Sequence, residues 1–327
     1  LHISKSQSLR KRQILHRHLR YSDWYIKLIS FLKGIRLRKG QVSLYRIAII
    51  FIDKIADNQL MERAYGVAFN FTLAVFPSVI FLFALIPFIH TWIPSISQHE
   101  ILHFMSDVMP PSLYEASEKT IRNTVEIRRE GLISFGVLFA LFLATNGVNS
   151  LMKAFNTSYK TNEKRSFIKM RFIALVLTVI LAFTFILAIV LLLVGNFVIN
   201  WMFNFGLLAE NFDYYLIILL RFVIIFICFY LVISCFYYWG PAIHDKWRFF
   251  SIGSFGATLA CVFVSFGFSI YLSNFATYNK FYGSIGTLIA FMIWQYLMSA
   301  ILLLGFEFNA SMDRAANGEV YELEREE

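Results

Sequence analysis

The sequence predicts an all-α fold, a polytopic integral membrane protein with six transmembrane helices. Three observations carry that expectation. Of 327 residues, 58% are hydrophobic, 18% aromatic and only 16% charged, and a soluble domain of this length cannot cover so much apolar surface with so few charges. Six stretches reach the roughly 20 mostly apolar residues that a helix needs to cross hydrocarbon, at 66–89, 131–155, 172–198, 214–238, 249–272 and 282–306. These stretches are apolar on every face, as in "FIALVLTVILAFTFILAIVLLLVG", whereas barrel strands would alternate over about ten residues.

Residues 1–40 read as a basic cytoplasmic extension. Residues 1–64 hold 14 Lys/Arg against 4 Asp/Glu, a net +10, so the rest of a chain of net charge +9 sums to −1. "SLRKRQILHRHLR" and "KGIRLRKG", with Trp24, Tyr25 and Phe31 nearby, suit anionic lipid headgroups, each cation contributing about 1 kcal/mol near the surface. No RNA- or DNA-binding motif accompanies the charge, so no nucleic-acid partner is expected. Residues 41–63 carry Leu44, Ile47, Phe51 and Ile55 on one helical stripe, with Arg46, Asp53, Lys54 and Asp57 on the other face. The apolar run is too short to span, which predicts an amphipathic helix in the inner interface.

Residues 64–312 then form the six-helix transmembrane domain. Its longest loop, 90–130, contains the amphipathic "SQHEILHFMSDVM", Pro110-Pro111 and "SLYEASEKTIRNTVEIRRE", and reads as a small external helical cap. Residues 313–327 are polar and acidic, a solvated cytoplasmic tail. Cys228, Cys235 and Cys261 all fall within spans and have neither disulfide-framework nor metal-ligand spacing. No cleavable signal peptide is expected, because the first long apolar segment follows more than sixty mostly polar or amphipathic residues.

The positive-inside rule sets the orientation. With both termini in the cytoplasm, 24 of the 30 Lys/Arg lie on the cytoplasmic side, five lie outside and Arg221 lies within a span. The expected orientation is therefore N-in and C-in, with membrane lipids as partners. A homo-oligomer is compatible with the pattern.

One stretch suggests catalysis. "HEILH" places His99, Glu100 and His103 in the H-E-x-x-H spacing, which can hold Zn²⁺ with the glutamate as general base. A working site needs a third protein ligand, for which Glu126 has the better spacing, and a dry cleft. The stretch instead lies in a short external segment followed by Pro-Pro, so surface histidines on a cap helix are the stronger reading, and neither metal nor cofactor is expected.

Polar residues inside the spans are more informative, because hydrocarbon makes them costly. The first span carries Asn70 and the helix-kinking Pro77 and Pro87. The second carries Asn146, Asn149, Ser150 and Lys153 and ends in Asn156. The sixth carries Gln295 and ends on Glu307 and Asn309. Interhelical hydrogen bonding accounts for any one of them, at about 0.6 kcal/mol each; as a cluster they predict an inward-facing polar cavity. Lys153 and Glu307 reach the same depth and are expected to pair. Arg221, in "YYLIILLRFVIIFICFYL", either snorkels to the outer headgroups or anchors an anionic group.

Several of these stretches resemble the YihY/BrkB family of bacterial inner-membrane proteins: "AYGVAFNFTLAVFPSVIFLFAL", "GLISFGVLFAL", "NSLMKAFNTSY", "YYWGP" and "YGSIGTLIAFMIWQYLMSAILLLGFEFNA". The resemblance covers roughly residues 40–312. Its most specific part is Tyr282-Gly283-Ser284-Ile285-Gly286 followed by Trp294, Tyr296, Gly305, Glu307 and Asn309. It implies six helices with both ends cytoplasmic, and a serine usually stands where this chain has Ala74. The family carries a virulence-factor label, an older ribonuclease label and a suspicion of transport or lipid translocation. The leading expectation is therefore a non-enzymatic transport or lipid-translocation protein for an amphipathic or anionic envelope component. A membrane scaffold binding envelope partners through its cap is the alternative, and a zinc hydrolase the third.

Overall fold

The computed structural model describes residues 23–37, 42–55, 59–92, 130–159, 161, 163–204, 210–242, 248–274 and 284–316. Among them are eight helices: α1 (Asp23–Gly34), α2 (Leu44–Ile55), α3 (Gln59–Trp92), α4 (Glu130–Ser158), α5 (Phe167–Asn204), α6 (Glu210–Trp239), α7 (Ile252–Asn274) and α8 (Ser284–Ala316). A two-residue antiparallel ribbon, β1 (Arg36–Leu37) with β2 (Val42–Ser43), joins α1 to α2 and pairs Arg36 with Ser43.

Helices α3 to α8 occupy the positions of the six predicted spans. By length and composition, four helices among the described residues are apolar enough to cross a membrane, over Phe167–Ala188, Leu219–Trp239, Ile252–Tyr271 and Leu288–Ala316. Their surface agrees with that role. Phe172, Phe183, Phe185 and Ile186 of α5 and Phe263 and Phe266 of α7 are exposed, a continuous apolar surface that water would not tolerate. Backbone groups in such a helix bond within the segment, so hydrocarbon meets no unsatisfied amide.

Neighbouring helices run antiparallel where contacts fix their direction. Arg63 meets Ser158 while Asn70 meets Ser150 between α3 and α4. Phe226 of α6 meets Phe255 of α7 edge-on, and further along α6 Tyr230 stacks on Phe250, just before α7 begins. The core lies among α3 to α8, where Leu60, Leu151, Phe155, Leu177, Ile233, Cys261, Leu303 and Phe306, drawn from all six helices, are buried together. Phe155 stacks on Phe306 at 4.3 Å and meets the Tyr237 ring edge-on. Close approach needs small residues: a Cβ on Gly253 would strike the Gly305 carbonyl and the Asn309 side chain, and one on Gly305 would lie 2.6 Å from Ala257 Cβ.

Within the expected amphipathic segment 41–63, the described residues fall in β2, in α2, which ends at Ile55, and in α3, which begins at Gln59. The apolar stripe of α2 also faces protein, since Ile47 and Ile50 are buried in a cluster with Val42 and Ala315, against which Phe308 and Met312 pack. The final helix, in turn, does not end at residue 312. It continues to Ala316, with Ser311, Arg314 and Ala315 buried. The predicted cap within 90–130 lies outside the described residues apart from Ile89's continuation of α3 to Trp92 and the single residue Glu130.

Candidate functional site

The polar side chains fall into two groups. The first is a seam between α3, α4 and the start of α5. Asn70 donates from Nδ2 to Ser150 Oγ at 3.3 Å and to its own helix at the Gly66 carbonyl. One turn along α4, Asn146 accepts from Arg171 Nη2 at 2.8 Å while Thr145 accepts from Nη1 at 2.9 Å. Between them, Asn149 Oδ1 is buried with no hydrogen-bond partner. Helical geometry explains the row, because positions three and four apart share a face and 146, 149, 150 and 153 follow that spacing.

The second group closes the end of the bundle where α4, α6 and α8 stop and α3, α5 and α7 begin. Glu307 is 1% exposed and Arg314 8%, and Arg314 Nη1 donates to Glu307 Oε1 at 2.6 Å. Seven residues are two turns of helix, so both side chains stand on one face of α8. Arg314 Nη2 also donates to the Ser158 carbonyl at 2.5 Å, and Arg63 donates to Ser158 Oγ at 2.5 Å. The Tyr159 hydroxyl donates to Asp313. The expected Lys153–Glu307 pair is therefore corrected. Glu307 is engaged by Arg314, and Lys153 is exposed, because the α8 extension brings its own cation to the carboxylate.

Asn156 and Asn309 belong to the same end and serve backbone termini. Asn156 Oδ1 accepts from the Ala242 amide and its Nδ2 donates to Glu163. Glu163 in turn receives Arg165, which reaches the Gly240 carbonyl at the end of α6. Hydrogen bonding from Arg165 holds the Glu163 carboxyl below its usual range, against the opposing effect of partial burial. Asn309 Oδ1 accepts from the Gly253 amide and its Nδ2 donates to Ser251 Oγ. Both asparagines bond within the protein, as do Glu307 and Asn146.

Arg221 is exposed on α6 and Gln295 half-buried on α8. The Pro77 position lies within a continuous α3. His99, Glu100, His103 and Glu126 lie outside the described residues. Sequence reasoning missed Arg314, Asp313 and Arg171. Arg314 carries a signal in its seven-residue spacing from Glu307, although it falls within the segment expected to be a solvated tail; nothing in the spacing around Arg171 distinguishes it from the other cations near the start of α5.

The comparisons with known proteins bear on what this bundle is. The family described as virulence factor BrkB matches residues 51–327. The chain belongs to that family. The Bacillus subtilis protein whose name includes ribonuclease-like protein YfkH is 32% identical over 259 residues, 77% of this chain and 90% of that protein. The UPF0761 membrane protein of Tolumonas auensis is 33% identical over 72 residues, 22% of this chain and 24% of that protein. The UPF0761 membrane protein Bpet3042 of Bordetella petrii is 35% identical over 71 residues, 22% and 16%. No solved structure matches this chain. As a BrkB-family chain with several long apolar helices, it is a membrane protein.

Proposed function

We propose that this BrkB-family protein moves an amphipathic or anionic envelope component, a phospholipid first of all, across the bacterial inner membrane, with six spans, both termini in the cytoplasm and no covalent chemistry. The observation that carries the reading is Asn149: a buried amide oxygen without a donor, in the same seam as Asn70 and Ser150, which bond each other. Leaving such an acceptor unmade costs about 1–3 kcal/mol, a cost relieved when a polar group passes along the seam. The test is vesicles reconstituted with the full chain and a headgroup-labelled phosphatidylglycerol, quenched from outside by dithionite. Protein should make the inner-leaflet label accessible faster than in empty vesicles, and Asn149→Leu should slow it at least several-fold. Equal rates with and without protein, for phosphatidylglycerol and phosphatidylethanolamine alike, would overturn it.

One feature favours a second reading. The bonded network at the closed end, with Asn156, Glu307 and Asn309 all engaged, suits a scaffold that anchors an external partner-binding cap. Vesicles without lipid movement, together with envelope proteins crosslinked to the 90–130 segment, would select it.

A further inference from the structure

We infer that Arg171 forms a binding site for the phosphate of an anionic phospholipid on the outer surface of the bundle, at the start of α5. Arg171 is half-buried and has no carboxylate partner among the described residues; the ion pairs there engage Arg165 with Glu163 and Arg314 with Glu307. Its guanidinium lies 4.1 Å from the Phe142 ring centroid and 6.0 Å from that of Phe167. Its two terminal nitrogens each donate once, to Thr145 and Asn146. Both of those partners are neutral. A guanidinium presents five N–H donors in a planar fork that matches phosphate; here two hold the fork in place and the Nε–H is buried without a partner, which leaves the second hydrogen of each terminal nitrogen for the phosphate.

The surroundings fit a lipid rather than a free ion. Phe142, Phe167, Ile168 and Phe172 are exposed around the arginine, an apolar lining for an acyl chain. The headgroup side carries Lys164 and Lys169, both exposed. Tyr238 and Trp239 at the end of α6 mark the depth where amphipathic rings meet headgroups. Arg171 stands about a turn further along α5 than its first residue, a depth from which its long side chain reaches the phosphate layer. This site does not depend on lipid being moved across the membrane.

The test places a bimane fluorophore on Ile168→Cys, next to an unaltered Arg171, in full-length protein. Phosphatidylglycerol with brominated acyl chains should quench it at about tenfold lower mole fraction than phosphatidylcholine brominated in the same way. Arg171→Gln in that background should remove the preference, Arg171→Lys should retain part of it, and Arg248→Gln, which changes an exposed cation elsewhere, should leave it intact. Should Arg171→Gln fail to fold, the comparison of the two lipids on the labelled protein still decides. Equal quenching by the two lipids would overturn the site, and displacement by inorganic phosphate at the lipid's concentration would assign it to a soluble anion instead.

Discussion

At the level of single residues, the Glu307–Arg314 pair is the most consequential contact. A buried ion pair contributes little net stability over an apolar replacement, but removing one partner strands the other charge at a cost of about 3–5 kcal/mol. Glu307→Gln should therefore lower the thermal midpoint of the detergent-solubilised protein sharply, and Arg314→Met should do likewise. The double variant should lose less than the two single losses added together, and strict additivity in that cycle would show that the contact does not form. Lys153→Met, at an exposed position, should change the midpoint little. The charges on α8 were legible in the sequence; their pairing was not. Depth along two helices brought Lys153 and Glu307 level, yet the angle around each helix, which periodicity leaves open when all faces are apolar, decides what touches what.

Among elements, α7 and α8 show how close backbones come. Gly253→Ala or Gly305→Ala should destabilise by about 1–3 kcal/mol, because overpacking a tight contact forces displacement. Gly256→Ala and Gly267→Ala, whose new methyls would meet nothing within 4 Å, should be neutral or gain up to about 1 kcal/mol from helix propensity. Thermal unfolding of the four variants checks the contrast, and similar losses at all four would refute the packing. The helices of the bundle were readable from apolar length alone, since hydrocarbon demands it. The partner of α2 was not: the stripe of Ile47 looks the same whether it meets lipid or α8.

For the molecule as a whole, the closed end gathers Arg63, Arg165, Arg171, Arg248 and Arg314, a charge excess that supports the proposed cytoplasmic placement of that end. A cysteine at Thr161, whose amide bonds the Asn156 carbonyl at that end, should resist a membrane-impermeant maleimide added to intact cells. One at Ser117 should react, and the reverse pattern would invert the orientation. The native cysteines are free and buried, which keeps the background low. The cap that Asn309 places on α7 has a bearing on biogenesis. The amide of Gly253 waits for a side chain 56 positions later in the chain. During synthesis α7 therefore leaves the ribosome capped locally by Ser251 at the Ser254 amide, with the Gly253 amide completed only once α8 lies beside it.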